Sequence, residues 1–208
     1  MKKVFSTLLC ISFLIVSTAC SQKKQIPISE ALTKVFNESN FSSTESELNL
    51  DSSGYYVTEK PAQVFSQPSS VVDDYFCAMK RDPDTANSIN RTSYFSVIYA
   101  EFTNEQDTKN VFATGNSDIV SHISESGLGY YTDNSVIGFY VPTIGKHDEF
   151  CIFSLLYRSD SAIIYITVQG PLSYIEQQQD LIIKACKTVG YDPTEKYNEL
   201  LATLKEST

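Results

Sequence analysis

Two strand-forming runs, residues 150–157 and 162–168, stand only four positions apart, and that spacing limits what the chain can build. The polar cluster Arg158-Ser159-Asp160-Ser161 can turn a hairpin. It cannot carry the crossover of a dozen or more residues that parallel strands require. An antiparallel pair is therefore expected at this point. A third run, 92–102, is nearly continuous in strand formers, with Tyr94, Phe95, Val97, Ile98, Tyr99 and Phe102. Shorter strands are expected at 54–58, stopped by Pro61, and at 130–132 and 135–141, turning at Asp133-Asn134. The stretch 71–80 fits two patterns. Val72, Phe76 and Met79 suit a helix, while Val71, Tyr75, Cys77 and Met79 alternate as in a strand. A strand from about Tyr75 is preferred, since 81–91 reads as a loop leading into the next strand.

Helices announce themselves by period and punctuation. Ile28, Leu32, Val35 and Phe36 form one apolar stripe over 28–38. Residues 37–53, rich in serine, asparagine and acids, read as a loop with room for a short strand at 47–50. Thr103 and Gln106 form a capping box ahead of Val111, Phe112, Ile119, Val120 and Ile123, with Gly115 a weak point or break and Gly127 and Gly129 the end. Residues 142–149 read as a loop. Ser173 and Glu176 form a second box, before Ile175, Ile182, Cys186 and Val189 on one face down to Gly190. Asp192-Pro193-Thr194-Glu195 opens a last helix, in which Tyr197, Leu200, Leu201 and Leu204 face inward. The order helix, strands, helix, strands, two helices predicts an α+β fold, an antiparallel sheet with helices packed largely on one face.

Ahead of this domain, Lys2 and Lys3 precede an apolar run, 4–16, and then Ser17-Thr18-Ala19-Cys20. A basic head, an apolar stretch too short to span a bilayer as a mature helix, and small residues at a cleavage point describe an export signal. Ending that signal on cysteine makes the segment resemble a bacterial lipoprotein precursor. The resemblance covers residues 1–20 and implies that Cys20 takes diacylglycerol and becomes the mature N-terminus. Ordinary signal cleavage would fall at the same bond, and an uncut anchor is a third reading. The expected organisation is a signal peptide at 1–19, a lipidated N-terminus and tether at 20–27, and a single extracytoplasmic domain at 28–208. Two acyl chains hold a membrane firmly without help from Lys23 and Lys24.

Charge and cysteine content narrow the partners. The full chain carries −9, and removal of Lys2 and Lys3 with the signal leaves 16 less 2 basic residues against 25 acidic, or −11. Polyanion binding needs clustered Lys and Arg, so nucleic acid is excluded as an expected partner. The folded body gains nothing from anionic headgroups, which leaves the lipid as the link to the membrane. Beyond Cys20 and the discarded Cys10 stand Cys77, Cys151 and Cys186, too few and too widely spaced for a disulfide scaffold or a zinc motif. Their apolar neighbours suggest buried free thiols, with a Cys151–Cys186 bridge as the alternative.

No catalytic constellation emerges. His122 is expected at the surface or rim of the middle helix. His147-Asp148-Glu149 lacks a second histidine at ligand spacing and reads as a solvated turn. Asp73 and Asp74, like Glu105 and Asp107, diverge from one another and read as solvated surface. There is no Gly-x-Ser-x-Gly elbow and no calcium loop. Thirteen tyrosines with no tryptophan suit strands first and an aromatic binding face second. The expectation is a non-catalytic envelope lipoprotein outside the cytoplasm, held at the cell membrane through Cys20, needing no cofactor or metal, and binding a protein partner or ligand. A surface hydrolase with scattered residues and a structural envelope protein are the alternatives.

Overall fold

The computed structural model describes residues 26–39, 54–57, 63–82, 93–140 and 150–207. The signal, Cys20, the strand expected at 47–50 and His147-Asp148-Glu149 lie outside the described residues. Within them the expected α+β fold is present. Seven antiparallel strands form one sheet: β1 (Gly54–Val57), β4 (Val72–Asp82), β5 (Ser93–Phe102), β6 (Gly127–Tyr131), β7 (Ser135–Tyr140), β8 (Phe150–Arg158) and β9 (Ala162–Pro171). Their order across the sheet is β1-β4-β5-β9-β8-β7-β6. A separate two-residue ladder joins β2 (Gln63–Val64) to β3 (Gln67–Pro68).

The β8–β9 hairpin lies at the middle of that order, with Arg158 opposite Ile163 and Ser154 opposite Thr167. Its turn is closed by Ser159, whose N–H donates to the Ala162 carbonyl at 2.9 Å and whose hydroxyl accepts from the Ala162 N–H at 3.1 Å. Alternation along β9 then sorts its side chains between two cores. Ile164, Ile166 and Val168 join one cluster, and Ile163 joins the other.

The first face is covered by α1 (Ile28–Glu38), α3 (Leu172–Gln177), α4 (Gln179–Thr188) and α5 (Thr194–Ser207). Leu32 and Phe36 of α1 are fully buried, and the Phe36 ring lies 5.2 Å from that of Phe76. Pro27 gives α1 no side-chain cap. Asp74 of β4 supplies one from across the chain, accepting from the Ser29 N–H at 3.0 Å. Asp74 is thus a structural acceptor rather than the solvated acid expected from its neighbourhood. Of the described helices, α2 (Glu105–Ser126) covers the opposite face, where Val111, Phe112, Ile119 and Ile123 pack over Ala100, Val136, Leu156 and Ile163.

Several boundaries differ from expectation, each for a local reason. β4 begins at Val72, three residues earlier than Tyr75, and runs through Arg81 and Asp82 because β5 offers partners along its whole length. The cap of α2 is Asn104, not Thr103. Its side-chain oxygen accepts from the Asp107 N–H at 2.9 Å while its amide donates back to the Asp107 carboxylate at 2.6 Å. Gly115 does not break α2, which is continuous over 22 residues. Gly129 lies inside β6 rather than ending the helix. Ser173 is not a cap, since the helix begins at Leu172 straight after Pro171, and the expected single element divides at Gln178 into α3 and α4.

Two close approaches set the height of α2 above the sheet. Gly129 and Gly138 face each other across β6 and β7, and Ile123 sits over both. A Cβ at Gly138 would lie 2.3 Å from Ile123 Cδ1, and one at Gly129 would lie 2.6 Å from Ile123 Cγ2. A Cβ at Gly115 would meet Leu156 Cδ2 at 2.9 Å. The glycines exist here as space for facing side chains.

Candidate functional site

Among the described residues, one flank of α2 lies open beside strands β8 and β9. The β2–β3 turn leans against that flank and encloses a cleft of about 320 Å³. Helix α2 contributes Asn110, Val111, Thr114, Gly115, Asp118 and Ile119; the turn contributes Phe65, Ser66 and Gln67; Leu156 and Tyr165 form the floor. Gly115 opens the wall at its middle, the position where the sequence suggested a helix break.

The turn itself is unusual. A two-residue connection between antiparallel strands favours positive φ at both central positions, which Asn and Gly adopt readily. Here they are Phe65, at φ 50°, and Ser66, at φ 64°. A non-glycine residue held there costs on the order of 1–2 kcal/mol. The strain sets the half-buried Phe65 ring in the cleft wall, packed against the same cluster as Val111 and Ile119. No Asn-Gly or Gly-Gly signal marks this turn, so its sequence gives no warning of it.

Further along α2, the exposed His122 stacks on Tyr140, with ring centroids 5.3 Å apart and planes 12° from parallel. Burial raises the pKa of the Tyr140 phenol; the buried Ser154 hydroxyl works the other way, and the neighbouring Tyr165 adds to the rise. The aromatic flank therefore runs from Phe65 through Tyr165 to Tyr140. His122 is where the sequence put it, at the rim, and it is not part of the cleft lining.

The cysteines among the described residues offer no nucleophile. Cys77, Cys151 and Cys186 are free and buried. Burial pushes the Cys77 and Cys151 thiols up to about 11, the Tyr75 contact opposing it at Cys77, and burial raises Cys186 as well. All three are protonated at neutral pH, and thiols in that state attack poorly. Among the described residues, no three of His, Cys, Asp and Glu gather as a metal-binding group. Glu105 and Asp107 serve the start of α2, Glu105 pairing with Lys109 at 2.6 Å. Among the described residues two tyrosines stand exposed, Tyr130 and Tyr131, on strand β6 at the end of the sheet order, with Lys196 4.9 Å above the Tyr130 ring. Tyr99, Tyr174 and Tyr197 are core residues.

The cleft was not legible in the sequence, because Phe65 and Tyr165 are a hundred residues apart in the chain. Geometry and fold together define the class: an antiparallel α+β domain with a small, mainly apolar cleft between one helix and a strained turn. No protein-family model matches the chain, and no curated protein matches it. Among the described residues, no helix is long and apolar enough to cross a membrane.

Proposed function

We propose that this protein is an envelope lipoprotein, anchored through Cys20 on the outer side of the cytoplasmic membrane, whose folded domain binds a small ligand without catalysis. The observation that carries the binding half is the cleft of about 320 Å³, which falls at the lower end of ligand-sized pockets. Phe65, Val111, Ile119, Leu156 and the Tyr165 ring give it apolar walls, with Ser66, Gln67, Asn110, Thr114 and Asp118 as polar members. Among the described residues its lining holds one carboxylate and the Tyr165 phenol, and no histidine, cysteine or lysine. An activated nucleophile pairs Ser, Cys or Lys with an adjacent base, and the described lining holds no histidine to activate Ser66 or Thr114, which favours binding over hydrolysis. The anchoring half rests on Ser17-Thr18-Ala19-Cys20 behind a short apolar segment.

A neutral probe tests the cleft directly. 3-Phenylpropanol, followed by saturation-transfer NMR against the protein purified from its host, is expected to bind saturably. Thr114→Trp, which introduces a large ring from an exposed helical position at the cleft wall, is expected to abolish that binding while leaving the circular dichroism unchanged. Absence of saturable binding to wild type, or equal binding to Thr114→Trp, would contradict the reading.

A further inference from the structure

Building on the reading of the cleft as a binding site, we infer that its ligand is a small cationic amphiphile, an apolar body ending in an amine or alkylammonium group. Three features of the lining lead there.

The first is the row Asn110, Thr114 and Asp118. These residues stand four apart on α2, so their side chains line one edge of the cleft. The two neutral members are committed within the helix. Thr114 donates to the Asn110 main-chain oxygen at 3.1 Å, and the Asn110 side-chain oxygen accepts from Gln106 at 2.9 Å. Asp118 is different. Its main-chain oxygen accepts from Ser121, but its carboxylate takes part in none of the ion pairs among the described residues; the one that α2 makes there joins Lys109 to Glu105. Among the described residues the cleft thus presents one charged acceptor with no ion-pair partner.

The second feature is the sign of the charge. Among the described residues Asp118 is the only charged member of the lining, and no Lys or Arg of that lining opposes it. A carboxylate or phosphate ligand would meet repulsion with nothing to offset it, in a chain whose net charge is already −9. An ammonium meets attraction. The third feature is aromatic. Phe65 and Tyr165 line the same cleft as Asp118, and aromatic faces attract cations, alkylated ammonium groups above all. The strain at Phe65 and Ser66 belongs with this arrangement, because it keeps one of those rings in the wall.

Three probes that share a phenyl ring on a three-carbon chain separate the parts of the inference: 3-phenylpropylammonium, 3-phenylpropanol and 3-phenylpropionate, each titrated by saturation-transfer NMR into the whole protein and into Asp118→Asn. Asp118 is exposed, so the substitution leaves the core untouched. The exposed carboxylate is expected to make the ammonium bind about fivefold tighter than the alcohol. The propionate should bind weakest, and Asp118→Asn should bring ammonium and alcohol to equal affinity. Equal affinities in wild type, or a preference that survives in Asp118→Asn, overturns the cationic ligand and leaves the binding cleft standing. Failure of all three probes to bind overturns both.

Discussion

Tyr197→Ala is expected to remove about 4 kcal/mol from the unfolding free energy, the largest single-residue loss among those argued from this structure. Tyr197 is fully buried in α5 and meets two rings of the sheet edge to face, Phe139 at 5.6 Å and 62° and Phe153 at 5.1 Å and 67°. Truncation leaves a ring-sized void between β7, β8 and α5, and neither strand can move to fill it without disturbing its ladder. The hydroxyl contributes little by comparison. It donates to the Ile175 carbonyl at 3.3 Å, and that oxygen also accepts the Gln178 N–H at 3.1 Å. Tyr197→Phe should therefore cost only about 0.5 kcal/mol, since no buried acceptor is orphaned. Urea unfolding of both variants measures the difference. Equal losses would mean that the hydroxyl, not the ring, fixes α5 to the sheet.

Gly138→Ala is expected to cost about 3 kcal/mol, at the upper end of overpacking by one methyl group. The added carbon would lie 2.3 Å from Ile123 Cδ1 and 2.8 Å from the Leu128 carbonyl oxygen. The Ile123 side chain can move partway, but the Leu128 carbonyl belongs to the β6–β7 ladder and cannot. Ile123→Val removes the methyl nearest to the new carbon. A double-mutant cycle should then return about 1 kcal/mol, because the two substitutions share one contact. Strict additivity would show that the clash with backbone alone sets the cost. Lifting α2 would also open its flank, so Gly138→Ala is expected to weaken probe binding in the cleft.

Much of the fold was legible because its signals are local. The four-residue gap between two strand runs fixes the central hairpin, and the stripe Ile28, Leu32, Val35, Phe36 fixes α1. Errors came where tertiary contacts outvoted local pattern. Gly115 reads as a helix breaker in isolation, yet Phe112 and Ile119 on either side bury a continuous face, and the glycine makes room for Leu156. Gly129 reads as a helix terminator, yet its partner Gly138 and the Ile123 side chain between them place it inside a strand. Asp74 reads as solvated, and only the position of α1 shows it to be a cap. Of the candidate site, the sequence offered tyrosine abundance and the absence of a catalytic set. The residues that build the cleft come from a turn, a helix and two strands, and no pattern along the chain joins them.

Cleft, strain and charge belong to the folded residues, whereas anchoring rests on Cys20 and the segment before it. Without the proposed anchor the domain would meet diffusible ligands, whereas attachment through Cys20 would hold the cleft close to the membrane and to amphiphiles that gather there. The most direct test of the account is radiolabelled-palmitate incorporation in the native host, with wild type and Cys20→Ala compared side by side. Label on wild type and none on Cys20→Ala is the predicted result. Absence of label on both would contradict it, leaving a protein that is freely secreted or held by an uncut signal.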